Sequence, residues 1–239
     1  MIELINVKKY YGLSRTGLEK ESVTFNDGEI TGIIGENGSG KTTMLKAIMG
    51  LCELTEGRIL IDGLPVTSVY GKMSFITEEG SYFPGMTPLE YGDFLKSFFA
   101  GFDMDRFLKL LEYFEIEKNS KIRNMSRGQK SKVEIAAGFS KGAKYILMDE
   151  PFLGNDMFTR HDFLKLMISS LRGEETILIS THLINEIENF VDRIVILQMG
   201  RIKADFYMDD MKETGKSLKE VLMETTGYDE EWYKKLFDT

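Results

Sequence analysis

The segment Gly35-Glu36-Asn37-Gly38-Ser39-Gly40-Lys41-Thr42 constrains this chain more than any other stretch. Its spacing, G-x-x-x-x-G-K-[ST], is that of a loop that cradles nucleotide phosphates. Ile30, Gly32, Ile33 and Ile34 surround Thr31 just before it, and the helix-compatible run Thr42-Thr43-Met44-Leu45-Lys46-Ala47-Ile48-Met49 follows. Strand, loop and helix is the setting the motif requires. Glycines let the backbone curl until successive N–H groups converge on anionic oxygens. The helix N-terminus adds unpaired donors and a partial positive charge. Gly35, Asn37, Gly38, Ser39, Gly40, Lys41, Thr42 and Thr43 are therefore the expected phosphate-binding set. Lys41 can reach the β and γ phosphates and the Thr42 hydroxyl can bind Mg²⁺.

A second signal lies about a hundred residues downstream. Tyr145-Ile146-Leu147-Met148 reads as a buried strand that ends in Asp149-Glu150, and Pro151 then stops its ladder. Ligands of parallel sheets bind beyond the C-terminal strand ends, so Asp149 is expected to hold Mg²⁺. Glu150, on the opposite face by strand alternation, is expected to polarise water. The strand candidate Thr176-Ile177-Leu178-Ile179-Ser180 ends at Thr181-His182. An imidazole there can donate to a γ-phosphate oxygen and fix the attacking water. His161 lies within an expected helix and reads as structure or surface.

The remaining chain reads as α/β. It has 239 residues, 42% of them apolar, enough for one large domain or two fused lobes. Residues 1–30, 58–61 and 73–77 suggest a small, largely antiparallel layer around the phosphate loop. Residues 88–140 change character: Phe94, Leu95, Phe98 and Phe99, then Phe107, Leu108, Leu110, Leu111 and Phe114, recur at helical spacing and read as core stripes of an inserted helical lobe. After Gly142, strands at 145–149, 176–180 and 193–198 alternate with helices near 157–171 and 183–190, the pattern of a mostly parallel sheet. Residues 209–239 read as short packed helices. A net charge of −8 argues against a nucleic-acid partner. The single cysteine, Cys52, forbids an intrachain disulfide. No apolar run approaches 18 residues, so a soluble chain is expected, with any membrane link through a partner.

Asn124-Met125-Ser126-Arg127-Gly128-Gln129-Lys130 is by itself a polar turn in which Ser126 can cap a helix. Together with the phosphate loop, the acid pair and His182, in this order, it resembles the signature segment of ATP-binding cassette ATPases. The resemblance covers residues 1–225. It implies a P-loop fold with a mostly parallel RecA-like core sheet, an antiparallel β subdomain and a helical subdomain. The implied division is 1–87 and 141–208 for the nucleotide-binding core, 88–140 for the helical subdomain and 209–239 for a C-terminal extension.

The resemblance also implies Mg²⁺-dependent ATP hydrolysis, with Glu150 and His182 catalytic and Thr42, Glu78 and Asp149 at the metal. In such proteins two ATPase subunits, alike or different, pair head to tail. Ser126, Arg127, Gly128 and Gln129 then face the partner's nucleotide, and Asp156 communicates across the dimer. Tyr11 matches the adenine-stacking aromatic, with adjacent Tyr10 as its rival. The chain departs from the family pattern at Arg127, where glycine is usual, at Glu78, where glutamine is usual, and at Leu153 and Asn155. A transmembrane permease is the implied partner, the cytoplasmic face of the cell membrane the implied location, and export of peptides or drug-like compounds the implied task. Cassette proteins of DNA repair or translation, and ATP-binding regulators with little turnover, are the alternatives. The Tyr82 and Phe83 rings are expected to be exposed for partner docking.

Overall fold

The computed structural model describes residues 1–12, 15–77, 80–151, 164, 173–182 and 187–227. Among these, a six-stranded sheet runs in the order β5-β6-β7-β3-β8-β9. Its strands are β3 (Ile30–Ile34), β5 (Met73–Thr77), β6 (Tyr145–Asp149), β7 (Thr176–Thr181), β8 (Arg193–Gln198) and β9 (Arg201–Tyr207). All pairings are parallel except β8 with β9. A second, antiparallel sheet holds β2 (Arg15–Phe25), β1 (Ile2–Tyr11) and β4 (Glu56–Ile61) in that order.

The expected mostly parallel core and antiparallel subdomain are therefore present. Residues 73–77 are the exception. They were expected in the antiparallel layer, but they pair in parallel with β6, Met73 opposite Tyr145 and Thr77 opposite Asp149. Five residues of extended pattern do not reveal which neighbour a strand will find.

The core strands are apolar on both faces because both faces are covered, as parallel strands require. Successive side chains point to opposite faces, and here they enter two different cores. Ile33, Tyr145, Leu147, Leu178, Val195 and Leu197 join Met44, Leu45 and Ile48 of α1 (Lys41–Ile48) and the inner face of the antiparallel sheet. Ile34, Ile146, Met148, Ile177, Ile179, Ile194 and Ile196 join the helical lobe and the C-terminal segment on the other side. Burying one such side chain contributes about 1.5–3 kcal/mol, so this alternation fixes the register of every core strand.

The helical lobe consists of α2 (Pro88–Phe98), α3 (Met104–Tyr113) and α4 (Arg127–Ser140). Thr87 opens α2 with a reciprocal capping box to Glu90. Phe107, Leu110, Leu111 and Phe114 form the expected core stripe. The stripe on α2 is only partly internal: Leu95 is buried, whereas Phe98 is 69% exposed. Two short helices, Met208–Glu213 and Leu218–Thr226, follow β9, and Gln198 Nε2 donates to Thr226 O at 2.8 Å. No helix among the described residues is long and apolar enough to cross a membrane. The helices expected near 157–171 and 183–190 lie outside the described residues apart from Leu164 and residues 187–190.

A buried arginine ties the two sheets together. Arg193 Nε and Nη2 each donate to Asp205 at 2.6 Å, while Nη1 donates to Thr24 O at 2.7 Å. At the end of the sheet away from the phosphate loop, the Tyr145 hydroxyl donates to Asp62 Oδ1 at 2.5 Å, and Lys144 Nζ donates to the same oxygen at 3.0 Å. The Tyr145 hydrogen bond, with Lys144 beside it, holds the Asp62 carboxyl well below the usual carboxylate range against the opposing effect of burial. A depressed folded pKa gives stability that is complete above the unfolded value, near 4, and is lost as pH falls through the folded one. We predict that Tyr145→Phe lowers unfolding free energy at pH 7 by about 1–2 kcal/mol. The difference from wild type should shrink steadily below pH 4, as read from urea unfolding curves. A difference that is constant down to pH 2 would refute the assignment.

Candidate functional site

The strand ends bring the chemistry together. In the sheet register Asp149 lies opposite Ser180, and Ile34 opposite Thr181. The phosphate loop leaves β3, the acid pair leaves β6 and His182 leaves β7, all at one edge of the sheet.

The loop folds as its glycines demand. Gly38 and Gly40 have φ of +83° and +112°, a region open to glycine at little cost. A Cβ on Gly40 would lie 2.4 Å from Gly17 O, and one on Gly35 would lie 2.2 Å from Leu197 O. Gly200 N donates to Ser39 O and Glu19 N donates to Gly200 O, both at 2.8 Å. The loop is thus held between β2 and the β8–β9 turn, with α1 starting at its exit.

Lys41 is only 5% exposed. Its Nζ donates to Gly35 O at 2.7 Å and Glu36 O at 3.2 Å, and lies 3.4 Å from Glu150 Oε1. Thr42 Oγ1 donates to Asp149 Oδ1 at 3.0 Å, and Ser180 Oγ donates to the same oxygen at 2.5 Å. His182 Nδ1 lies 3.1 Å from both Glu150 carboxylate oxygens. Glu150 does not continue the alternation of β6. Its φ is +47°, a left-handed conformation costly for a side chain of this kind, and its N–H donates to Ser180 O at 3.0 Å. That turn sets its carboxylate between Lys41 and His182.

A cavity of about 500 Å³ opens beside these groups, lined by Tyr11, Asn37, Gly38, Gly40, Lys41, Thr42, Thr43 and Glu150, and also by Gly17 and Lys46. Asp149 and His182 do not line it and reach its wall through Thr42 and Glu150. Tyr11 faces it, half exposed. Tyr10, the rival aromatic, does not line it; its hydroxyl donates to Glu19 Oε1 at 3.1 Å. Sequence reading missed Gly17, Lys46, Ser180 and the Gly200 turn. Gly17 had a signal, a glycine inside a strand, which marks close approach of another group. Here a Cβ would meet the Thr43 and Tyr11 side chains at 2.7 and 2.9 Å.

No group of three His, Cys, Asp or Glu able to hold a metal occurs among the described residues. One hydroxyl and one carboxylate oxygen, Thr42 Oγ1 and Asp149 Oδ1, nevertheless match the few hard oxygens Mg²⁺ takes from a protein when phosphates supply others. Glu78 and Asp156, and the departures at Leu153 and Asn155, lie outside the described residues, as does His161.

The signature segment stands apart from this cavity. Ser126 caps α4 in a reciprocal box: Gln129 N donates to Ser126 Oγ at 3.2 Å and Ser126 N donates to Gln129 Oε1 at 2.9 Å. Ser126, Arg127 and Gln129 are exposed, Gly128 is half-buried, and none of the four lines the cavity. The loop after β5 differs from expectation at one ring. Phe83 is 47% exposed and packs edge-on against Phe94 at 4.9 Å. Tyr82 instead packs against the helical-lobe core, close over Gly80, and burial pushes its hydroxyl pKa up.

Comparison with known proteins agrees with this architecture. Residues 18–153 match the family model described as ABC transporter. The chain is 32% identical over 217 residues to the ABC transporter ATP-binding protein YtrB of Bacillus subtilis, covering 89% of this chain and 74% of that one. It is 27% identical to the SkfA peptide export ATP-binding protein SkfE of the same organism, over 93% and 95% of the two chains. It is 34% identical to the methionine import ATP-binding protein MetN of Clostridioides difficile, over 84% and 67%. The dimeric post-hydrolysis structure of the ATP-binding cassette MJ0796 bound to ADP and Pi superposes with a TM-score of 0.78 at 28% identity, over 87% and 99%. With that fold and more than half of its length matched, the chain belongs to the ABC transporter family, as an ATP-binding subunit that hydrolyses ATP.

Proposed function

We propose that the cavity between Tyr11 and Glu150 binds ATP with Mg²⁺ and that its hydrolysis drives a separate transmembrane permease. The observation that carries this reading is the convergence of Lys41, Asp149, Glu150 and His182 with the glycine loop at one sheet edge. In this reading the adenine stacks on Tyr11, and the loop N–H groups and the α1 N-terminus hold the phosphates. Lys41 contacts the β and γ phosphates. Thr42 and Asp149 would hold Mg²⁺, which neutralises charge developing on the phosphates. Glu150 takes the proton of the attacking water, and His182 orients it.

The functional unit proposed is residues 1–225, with 88–140 as the lobe that meets the permease and 209–239 as an extension. A head-to-tail pair, of two copies or with a second ABC ATPase, would bring Ser126–Gln129 of one subunit to the other's nucleotide. The exposed position of that capped helix start, away from its own cavity, supports this. The site then lies on the cytoplasmic face of the membrane. Export of a peptide or drug-like compound is the proposed direction. It is supported by the near full-length match to a peptide export protein, and the import match covers less of its relative.

Lys41→Ala should weaken ATP affinity at least tenfold in calorimetric titration, whereas Asp149→Asn should remove mainly the gain that Mg²⁺ gives. Equal affinity for both variants and wild type would contradict the assignment. Glu150→Gln keeps size and removes the base, so single-turnover hydrolysis should slow about 10²–10⁴-fold while ATP still binds. An unchanged rate rejects Glu150 as the base. A photocrosslinker at the exposed Phe83, which packs on Phe94, should capture the co-purified membrane subunit. Crosslinks arising only from the opposite face of the chain would move the docking surface elsewhere.

A further inference from the structure

The helix that begins at the signature carries a buried carboxylate that the ATP site does not use. Glu134 on α4 is 2% exposed, next to Val133 and Ile135 of the helical-lobe core. A carboxylate at this depth is tolerated only with good partners. Ser81 Oγ donates to Glu134 Oε1 at 2.7 Å and lies 3.0 Å from the Tyr91 hydroxyl. The Ser81 proton is committed to an acceptor-only group, so Tyr91 is the donor to Ser81. The other carboxylate oxygen, Oε2, is buried without a partner. The carboxylate is thus held through Oε1, by a relay that runs from α2 through the loop after β5 to α4. Tyr82 and Lys141 are the other titratable groups near Glu134.

The position of Glu134 on its helix makes this contact mechanical. Gly138 lies four residues on, so it shares a face with Glu134. There Ser74 Oγ of β5 donates to Gly138 O at 2.9 Å, and a Cβ on Gly138 would lie 2.4 Å from Ile76. One face of α4 is therefore seated on β5 at Gly138, and one turn earlier it grips the loop leaving that same strand. Ser126 lies eight residues before Glu134, about 12 Å along the helix.

We propose that Glu134 is a positioning residue. Its hydrogen-bonded relay to Ser81 and Tyr91 makes the loop after β5 and the signature helix shift as one unit. Movement at the aromatic docking loop is then delivered to Ser126–Gln129. The inference extends the proposed role of that segment at a partner's nucleotide and rests on it.

The test uses the full chain with Glu134→Leu, Glu134→Gln, Ser81→Ala and Tyr91→Phe. ATPase rate is measured against ATP concentration, together with hydrogen exchange and thermal unfolding. Glu134→Leu and Ser81→Ala should lower kcat at least tenfold with KM within twofold, because each subunit's own loop still binds ATP. Amides of residues 80–87 and of the first turns of α4 should exchange at least tenfold faster, together. Combining the two changes should add little to either alone. Glu134→Gln keeps both the shape and an acceptor oxygen and should stay within about threefold of wild type in kcat, whereas Glu134→Leu fills similar space with no acceptor, so a role in packing alone would leave both variants near wild type. Should Glu134→Leu fail to fold, Ser81→Ala and Tyr91→Phe, which each delete one hydroxyl, carry the same test. Wild-type kcat and wild-type exchange in folded Ser81→Ala and Tyr91→Phe would overturn the proposal. If the wild type itself neither binds nor hydrolyses ATP, the ATPase reading fails. Exchange in the two regions still decides the relay, since faster exchange in only one of them overturns it.

Discussion

The phosphate loop depends on backbone lying where side chains cannot. Gly35 passes the Leu197 carbonyl and Gly40 passes the Gly17 carbonyl at distances that exclude a Cβ. The hydrogen bond from Gly200 N to Ser39 O closes the cradle from below. These contacts hold the start of α1 at the end of β3, with the Lys41 side chain drawn inward against the loop's own carbonyls. The rest of the fold serves that placement. The central position of β3, between β7 and β8, gives the loop neighbours on both sides. The two cores on either face of the sheet keep the strand ends level, so Asp149 arrives within hydrogen-bonding range of Thr42 and Ser180, and His182 within range of Glu150.

The electrostatics are local. The chain as a whole is acidic, yet the cavity gathers Lys41, Lys46, the glycines of the loop and the N-terminus of α1. Such a site attracts phosphate irrespective of net charge, because the donors act within a few ångström while distant surface charges are screened. The Lys41–Glu150–His182 cluster concentrates three ionisable groups at one point. Glu150 enters it through a left-handed backbone angle. Strain of this sort, costing about 1–3 kcal/mol, is found where function over-determines a conformation.

What the sequence made legible was local. The strand Tyr145–Asp149, the cap formed by Ser126 and Gln129, and the helical lobe each rest on residues within a few positions of one another, and so they could be read in one dimension. What depends on distant neighbours could not. Residues 73–77 find β6 as a parallel partner across seventy positions of chain. Phe98 keeps helical spacing and still faces outward, since periodicity gives a face but not what covers it. Tyr82 turns in while Phe83 turns out. Gly17, Ser180 and Gly200 reach the site only through tertiary packing, and nothing in the local pattern around Glu134, with Lys130 and Lys132 nearby, signals its burial. Lys41, Thr42, Asp149, Glu150 and His182 lie at one sheet edge, although Glu150 arrives by a turn of positive φ and not by strand alternation.

The central claim is that one cavity, from Tyr11 to Glu150, holds the whole nucleotide. A crystal structure of the chain with Mg²⁺ and a non-hydrolysable ATP analogue tests it most directly. The account predicts an adenine ring stacked on Tyr11 and a γ-phosphate oxygen about 3 Å from Lys41 Nζ, with Thr42 and Asp149 on the metal side. Nucleotide bound at another face, or phosphates turned away from Lys41, would contradict it.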